Sequence, residues 1–114
     1  MRSIVIIAHD IRSAHNIGSL FRTADGFGVE HIYFSGISPY PSLHQDIRLP
    51  HIHQKLTKQI DKTALGAIET VSWSYQPDVK ELLIKLKKED YRIIGLEQSK
   101  SSTELSKYNP PDKC

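Results

Sequence analysis

The sequence predicts an α/β protein: a mostly parallel sheet with helices on both faces. Three observations lead there. A short apolar run opens the chain, an amphipathic helical pattern follows it, and strand-like and helix-like patterns go on alternating as far as residue 96. Strands that alternate with helices form βαβ units, and the strands of such units lie parallel.

Residues 4–8 (Ile-Val-Ile-Ile-Ala) are continuously apolar and mostly β-branched, which suits a strand covered on both faces. From residue 15 to 28 the period changes: Ile17, Leu20, Phe21, Ala24 and Phe27 recur at three- and four-residue spacing and make one apolar stripe on a helix. Ser13 or Asn16 is placed to cap its start, and Gly26 or Gly28 to end it. Residues 31–35 read as a second strand, closed by Gly36 and Pro39. Residues 38–61 hold three prolines and three histidines, and the expectation is a long loop with one helical turn. A short helix is expected over residues 62–67, ending at Gly66, and a third strand over residues 69–73. Val79, Leu82, Leu83 and Leu86 then set a helical stripe within residues 78–88, with Asp78 and Glu81 spaced as a capping pair. Residues 92–96 read as a fourth strand. The polar tail beyond them carries the Pro110-Pro111 pair of a connecting loop.

Composition excludes more than it assigns. The 114 residues fit one domain, with 39% hydrophobic and 25% charged residues. The apolar run at residues 4–8 is far shorter than the roughly 20 residues needed to cross a bilayer, and no small-residue cleavage site follows it, so neither a membrane span nor a secretory signal is expected. Cys114 is the only cysteine, which rules out a disulfide within the chain and a thiolate metal cluster; the expected compartment is the cytoplasm. A net charge of +2 is compatible with nucleic acid without arguing for it. There is no Walker loop, HExxH, nucleophile elbow or G-x-G-x-x-G, so nicotinamide dinucleotide binding is not expected. His44, His51 and His53, with Asp46 nearby, fit no closed metal site well, and no metal is expected. Trp73, Tyr75 and Tyr91 read as packing residues, and Lys85, Lys87, Lys88 and Arg92 as the wet side of a helix and its exit.

The informative segment is Asn16-Ile-Gly18-Ser-Leu-Phe-Arg22-Thr-Ala24-Asp-Gly-Phe27-Gly28. Gly18 and Arg22 are four residues apart, and the reading places them on one open face, with the glycine leaving room for the guanidinium. Asn16 falls at or before the helix start, where free N–H groups favour an anion. An amide, a bare helix start and an arginine together make a cradle for phosphate or ribose. The competing reading is an Asn cap, a glycine for close helix packing and a solvated arginine.

At these residues the sequence resembles a known family. Asn-x-Gly-x-x-x-Arg-x-Ala-x-x-Phe-Gly after a first buried strand is similar to motif 1 of the SpoU (TrmH-like) branch of the SPOUT methyltransferases. The flanks agree: His9-Asp10-Ile11-Arg12-Ser13 before the motif, Ile32-Tyr33-Phe34-Ser35-Gly36 after it, then residues 62–67 and the stretch ending Gly95-Leu96-Glu97-Gln98. The resemblance implies transfer of a methyl group from S-adenosylmethionine to a ribose 2′-hydroxyl of tRNA or rRNA. It also implies a homodimer with a C-terminal trefoil knot around the cofactor. Arg22 matches the catalytic arginine of the motif and Asn16 its neighbour, and Arg12, Asn16, Gly18 and Arg22 become the expected RNA-binding residues. An arginine gives up its proton too reluctantly to act as a base, so the role expected of Arg22 is to hold the adjacent phosphate and stabilise developing alkoxide charge.

The family's motif 2 (Gly-Asn-Glu) and motif 3 (Ser-Leu-Asn) are not among these residues. By resemblance they supply most cofactor contacts, which leaves Leu96 and Glu97 as the edge of that site. The expectation is therefore a single domain over residues 1–114, truncated at its C-terminus, with uncovered apolar surface and inactive as it stands. The alternatives are a non-catalytic RNA-binding or dimerisation remnant of the family, or an unrelated small Rossmann-like interaction domain.

Overall fold

The computed structural model describes residues 2–114. Three strands form a parallel sheet in the order β1 (Val5–His9), β2 (His31–Ser35) and β3 (Trp73–Tyr75). Ile6 pairs with Ile32 and Ala8 with Phe34, while Ile32 also pairs with Trp73. Because side chains alternate along a strand, Ala8, Ile32 and Phe34 share one face. The helices α1 (Ala14–Phe27) and α2 (Pro50–Ala64) pack on that face and bury Ile17, Phe21, Ala24, Ile60 and Ala64 against it. Tyr33 points the other way. There Lys85, on α3 (Val79–Lys88), sits 5.3 Å from the Tyr33 ring centre, so helices flank both faces as expected. Leu82 and Leu86 of α3 are buried apart from the main cluster.

Local chemistry explains the helix ends. The Ser13 hydroxyl accepts the N–H of Asn16 and caps α1, and Gly28 closes it in the left-handed region at φ 68°. Asp78 caps α3 by accepting the N–H groups of Lys80 and Glu81. Gly18 has a different task. A Cβ there would overlap the Thr63 hydroxyl and the Ile60 carbonyl, so the glycine is what lets α2 lie backbone-close to α1.

Three expectations need correction. The stretch at residues 38–61 is not a long loop: α2 occupies its second half and takes in the start of the separate helix expected at residues 62–67, ending at Ala64. Its apolar stripe was hidden because two inward positions, His53 and Thr57, are polar. Both are satisfied by Ser42, whose hydroxyl lies 2.7 Å from His53 Nδ1 and 2.9 Å from Thr57 Oγ1. The third strand begins at Trp73 rather than residue 69, because residues 67–69 form a 3-10 turn that drives Ala67 and Val71 into the core. Finally, residues 92–96 do not form a fourth strand. The place beside β1 is taken by the last residues: Ser3 N–H donates to Asp112 and Val5 N–H to Cys114, and Arg92 reaches only Lys113 beyond them.

Candidate functional site

The motif residues sit at the carboxyl ends of the strands and along α1. The turn after β1 is held tightly. Asp10 adopts φ 54° and its carboxylate accepts the N–H of Ile37, while the buried Ser38 hydroxyl accepts the N–H of Ile11 and donates to the Ala8 carbonyl. His9 lies 2.9 Å from the Ser35 hydroxyl and 3.2 Å from the Asp10 carboxylate. These bonds fix the segment that delivers Arg12 and then α1.

Arg22 is exposed on α1 and has no hydrogen-bond or ion-pair partner among the described residues. A guanidinium left unpaired beside a packed helix is available to an anion. Asn16 is exposed too, with its N–H already used by the Ser13 cap. The two are six residues apart, which on a helix means about 9 Å of rise and about 120° of arc. No hydrogen bond joins them, so the structure offers both to solvent without bringing them together. The expected open face shared by Gly18 and Arg22 is not found. Gly18 is buried under α2, where it permits close packing and is covered from any RNA, contrary to the expectation.

Arg12 is exposed at the rim of a cleft of about 460 Å³ at the strand ends, with Gln59, Tyr40, Tyr75 and Arg48 around it. Sequence reasoning missed Arg48. Its guanidinium lies 3.7 Å over the Tyr40 ring, donates to the carbonyls of Tyr40 and Pro41, and grips the Asp46 carboxylate through Nε and Nη2. Tyr40 in turn stacks on Tyr75 at 4.1 Å, and the Tyr75 hydroxyl donates to the Gly36 carbonyl. The bonds from Arg48 hold the Asp46 carboxyl well below the usual carboxylate range, and the same pairing raises Arg48. Burial raises the Tyr40 phenol, against the opposing pull of Arg48. Arg48 is thus a loop clamp that shapes the cleft wall, and the spacing Asp46-x-Arg48 was the available signal.

Leu96 and Glu97 line a second, larger cleft of about 740 Å³, together with Ile94, Leu105 and Tyr108. Leu96 is 85% exposed and Leu105 74%. An apolar edge of this kind suits the flat face of an adenosine, so the residues present fit one side of a methyl-donor site.

The other sequence candidates resolve into structure. His51 is exposed, His53 turns inward to Ser42, and Asp46 is taken by Arg48. No cluster of metal-ligating side chains occurs among the described residues, and no helix there is long and apolar enough to cross a membrane. Trp73 and Tyr75 belong to an aromatic cluster with Phe21, Phe34 and Tyr40. The Tyr91 hydroxyl bonds Ser3 and Glu30. The Ser3 hydroxyl, more than Tyr91 and Lys113, lowers the Glu30 carboxyl. Burial, with Lys85 nearby, lowers the His31 imidazole, whose two nitrogens meet the Ser72 and Ser74 hydroxyls.

The fold is that of an open parallel α/β sheet, a class in which ligands commonly bind outside the carboxyl ends of the strands, and here the smaller cleft lies at those ends. The chain is a member of the SpoU rRNA methylase family, whose model matches residues 3–114. Among solved structures it is similar to a protein described as an RNA 2′-O ribose methyltransferase, with a TM-score of 0.54 and 16% identity. That likeness covers 77% of this chain and 28% of the other, and at this identity it speaks for the fold alone. No curated protein matches the sequence.

Proposed function

We propose that this chain is the RNA-side part of an RNA methyltransferase that uses S-adenosylmethionine to methylate a ribose 2′-hydroxyl of tRNA or rRNA. The observation that carries the reading is Arg22, exposed and unpaired on the motif helix of a chain that belongs to this family. Arg22 grips the phosphate next to the target ribose and places its N–H donors where negative charge develops on the 2′-oxygen. A donor fixed before the reaction stabilises that charge without reorganising. Arg12, at the rim of the smaller cleft, holds a neighbouring phosphate, and Asn16 orients the sugar from the helix start. Leu96 and Glu97 hold one edge of the methyl donor, which when bound supplies an electrophilic methyl group. The complete enzyme acts as a homodimer in the cytoplasm.

Two measurements test this reading. Calorimetric titration with S-adenosylmethionine should show weak or no binding to the 114 residues and clear binding once a segment carrying the Gly-Asn-Glu and Ser-Leu-Asn motifs is joined to them. In that extended form Arg22→Ala should lower methyl transfer to RNA by about 10²–10³ and leave donor binding intact. Near-normal turnover by the variant would refute the role of Arg22, and donor binding with no transfer to any RNA would favour a non-catalytic RNA-binding member of the family.

A further inference from the structure

We propose that the outward face of α2 is a docking surface for the RNA sugar–phosphate backbone, formed by Lys55, Lys58 and Lys62. The inference rests on the RNA reading above and adds a surface that the motif does not include. At 100° per residue, the three lysines fall within about 60° of arc, with axial steps of about 4.5 Å and about 6 Å. All three are exposed, on the side of the helix opposite the buried Ile60 and Ala64.

The row is uncompensated. None of the three lysines takes part in an ion pair among the described residues. Asp61, the acidic residue of α2, lies to one side and uses its carboxylate to accept the N–H of Gly66. His51 extends the same face without adding an acid. A helix face that merely meets water usually mixes both signs. The other lysine-rich helix does so: Lys80, Lys87 and Lys88 of α3 are exposed beside Glu81, Glu89 and Asp90. Three like charges on one face repel each other, and no ion pair among the described residues relieves them. Their combined formal charge of +3 exceeds the +2 of the whole chain, so the remaining residues sum to −1.

The position of the row suits an RNA strand that ends at the motif helix. Lys62 adjoins Thr63, whose hydroxyl donates to the His15 carbonyl at 2.7 Å, and the same end of α2 packs on Gly18. The side chains are lysines rather than arginines. A flexible ammonium meets phosphate as a point charge, holding a strand without reading its sequence. The row is therefore expected to supply affinity and register, with selectivity arising elsewhere.

The test is fluorescence anisotropy of a labelled RNA stem-loop titrated with the full chain at increasing potassium chloride. Each neutralised phosphate contributes about 0.7 to 0.9 to the slope of log affinity against log salt. Combined replacement of Lys55, Lys58 and Lys62 by glutamine should flatten that slope by about 2 to 2.7. That corresponds to losing about twentyfold to fortyfold of the affinity change between ~50 and ~200 mM salt. The single change Lys58→Gln should flatten it by about 0.7 to 0.9, and replacing all three by arginine should restore it. Changing Lys80, Lys87 and Lys88 together to glutamine removes the same charge from α3 and should leave the slope nearly intact. Equal loss from the two triple variants, or an unchanged slope in the α2 variant, would overturn the docking surface and leave the proposed activity standing. A parent chain with no salt-dependent affinity for RNA would overturn both.

Discussion

The two sides of the proposed chemistry are built to different standards. Around α1 and α2 the packing is closed: Ile17, Phe21, Ile32, Phe34 and Ile60 have no exposed surface, and the Phe21 and Phe34 rings meet at 5.4 Å. Between residues 92 and 107 the chain runs largely without a ladder, and Leu96 and Leu105 stand out into solvent. Arg22 therefore projects from a surface that holds its own shape, whereas Leu96 and Glu97 lie on a segment that its own contacts do not fix. Placing a donor to within a fraction of an ångström depends on such support. In this structure Arg22 has that support, and Leu96 and Glu97 do not.

The contrast can be broken by substitution, beginning with the most damaging change. Phe21→Ala removes a ring from the centre of the closed side and should cost about 3–5 kcal/mol, read from urea denaturation; a loss below ~1 kcal/mol would mean the α1 face is not the core. Arg22→Ala, in a form competent for methyl transfer, should lower the rate by about 10²–10³, or about 2.7–4 kcal/mol of barrier. The denaturation midpoint of that variant should hardly move, since the side chain is exposed and unpaired. Gly18→Ala should destabilise by about 1–3 kcal/mol, because the methyl group must push α2 from α1; a neutral result would show that the helices can separate cheaply.

A pH titration sharpens the comparison within the cleft wall. The folded Asp46 carboxyl titrates below its ordinary value of 3.8, so as acid is added the unfolded chain takes up the proton first. Its stabilising contribution is complete above about pH 5 and is lost as the pH falls through the ordinary carboxylate range toward the folded value. The melting temperature should therefore drop on acidification from pH 5 to 3, and Asp46→Asn, less stable at neutral pH, should show a flatter limb. The smallest effect is expected on the open side: Leu96→Ala should alter stability by no more than about 0.5 kcal/mol. A larger loss would show that residues 92–107 are packed in solution.

The sequence was legible where one residue type does one job. The stripe Ile17, Phe21, Ala24 gave α1 its bounds to within a residue, and Ser13 and Gly28 act as the caps that their chemistry suggested. It was hard to read where polar side chains stand in apolar places. His53 and Thr57 turn inward on α2 because Ser42, which lies outside the helix, satisfies them, and no periodicity rule supplies that partner. Gly18 shows the same limit within the motif. Its spacing from Arg22 allowed a shared open face, and only the approach of α2, decided by contacts distant in sequence, settles that it is covered. The apolar pattern of residues 92–96 was real, but an extended segment becomes a strand only beside a free edge, and Lys113 and Cys114 occupy the edge of β1.

That last pairing has a consequence for the order in which the molecule assembles. Ser3 and Val5 exchange bonds with Asp112 and Cys114 across nearly the whole contour of the chain. Contacts so distant form only after the intervening polymer has been gathered in, and topologies rich in them fold slowly. β1 can join β2 through α1 early, yet its outer margin stays unsealed until residues 112–114 have been made and brought back to it. Hydrogen exchange at the Val5 amide should then report the last step of folding, while the Ile32 amide, donated to Ser72, reports an earlier one.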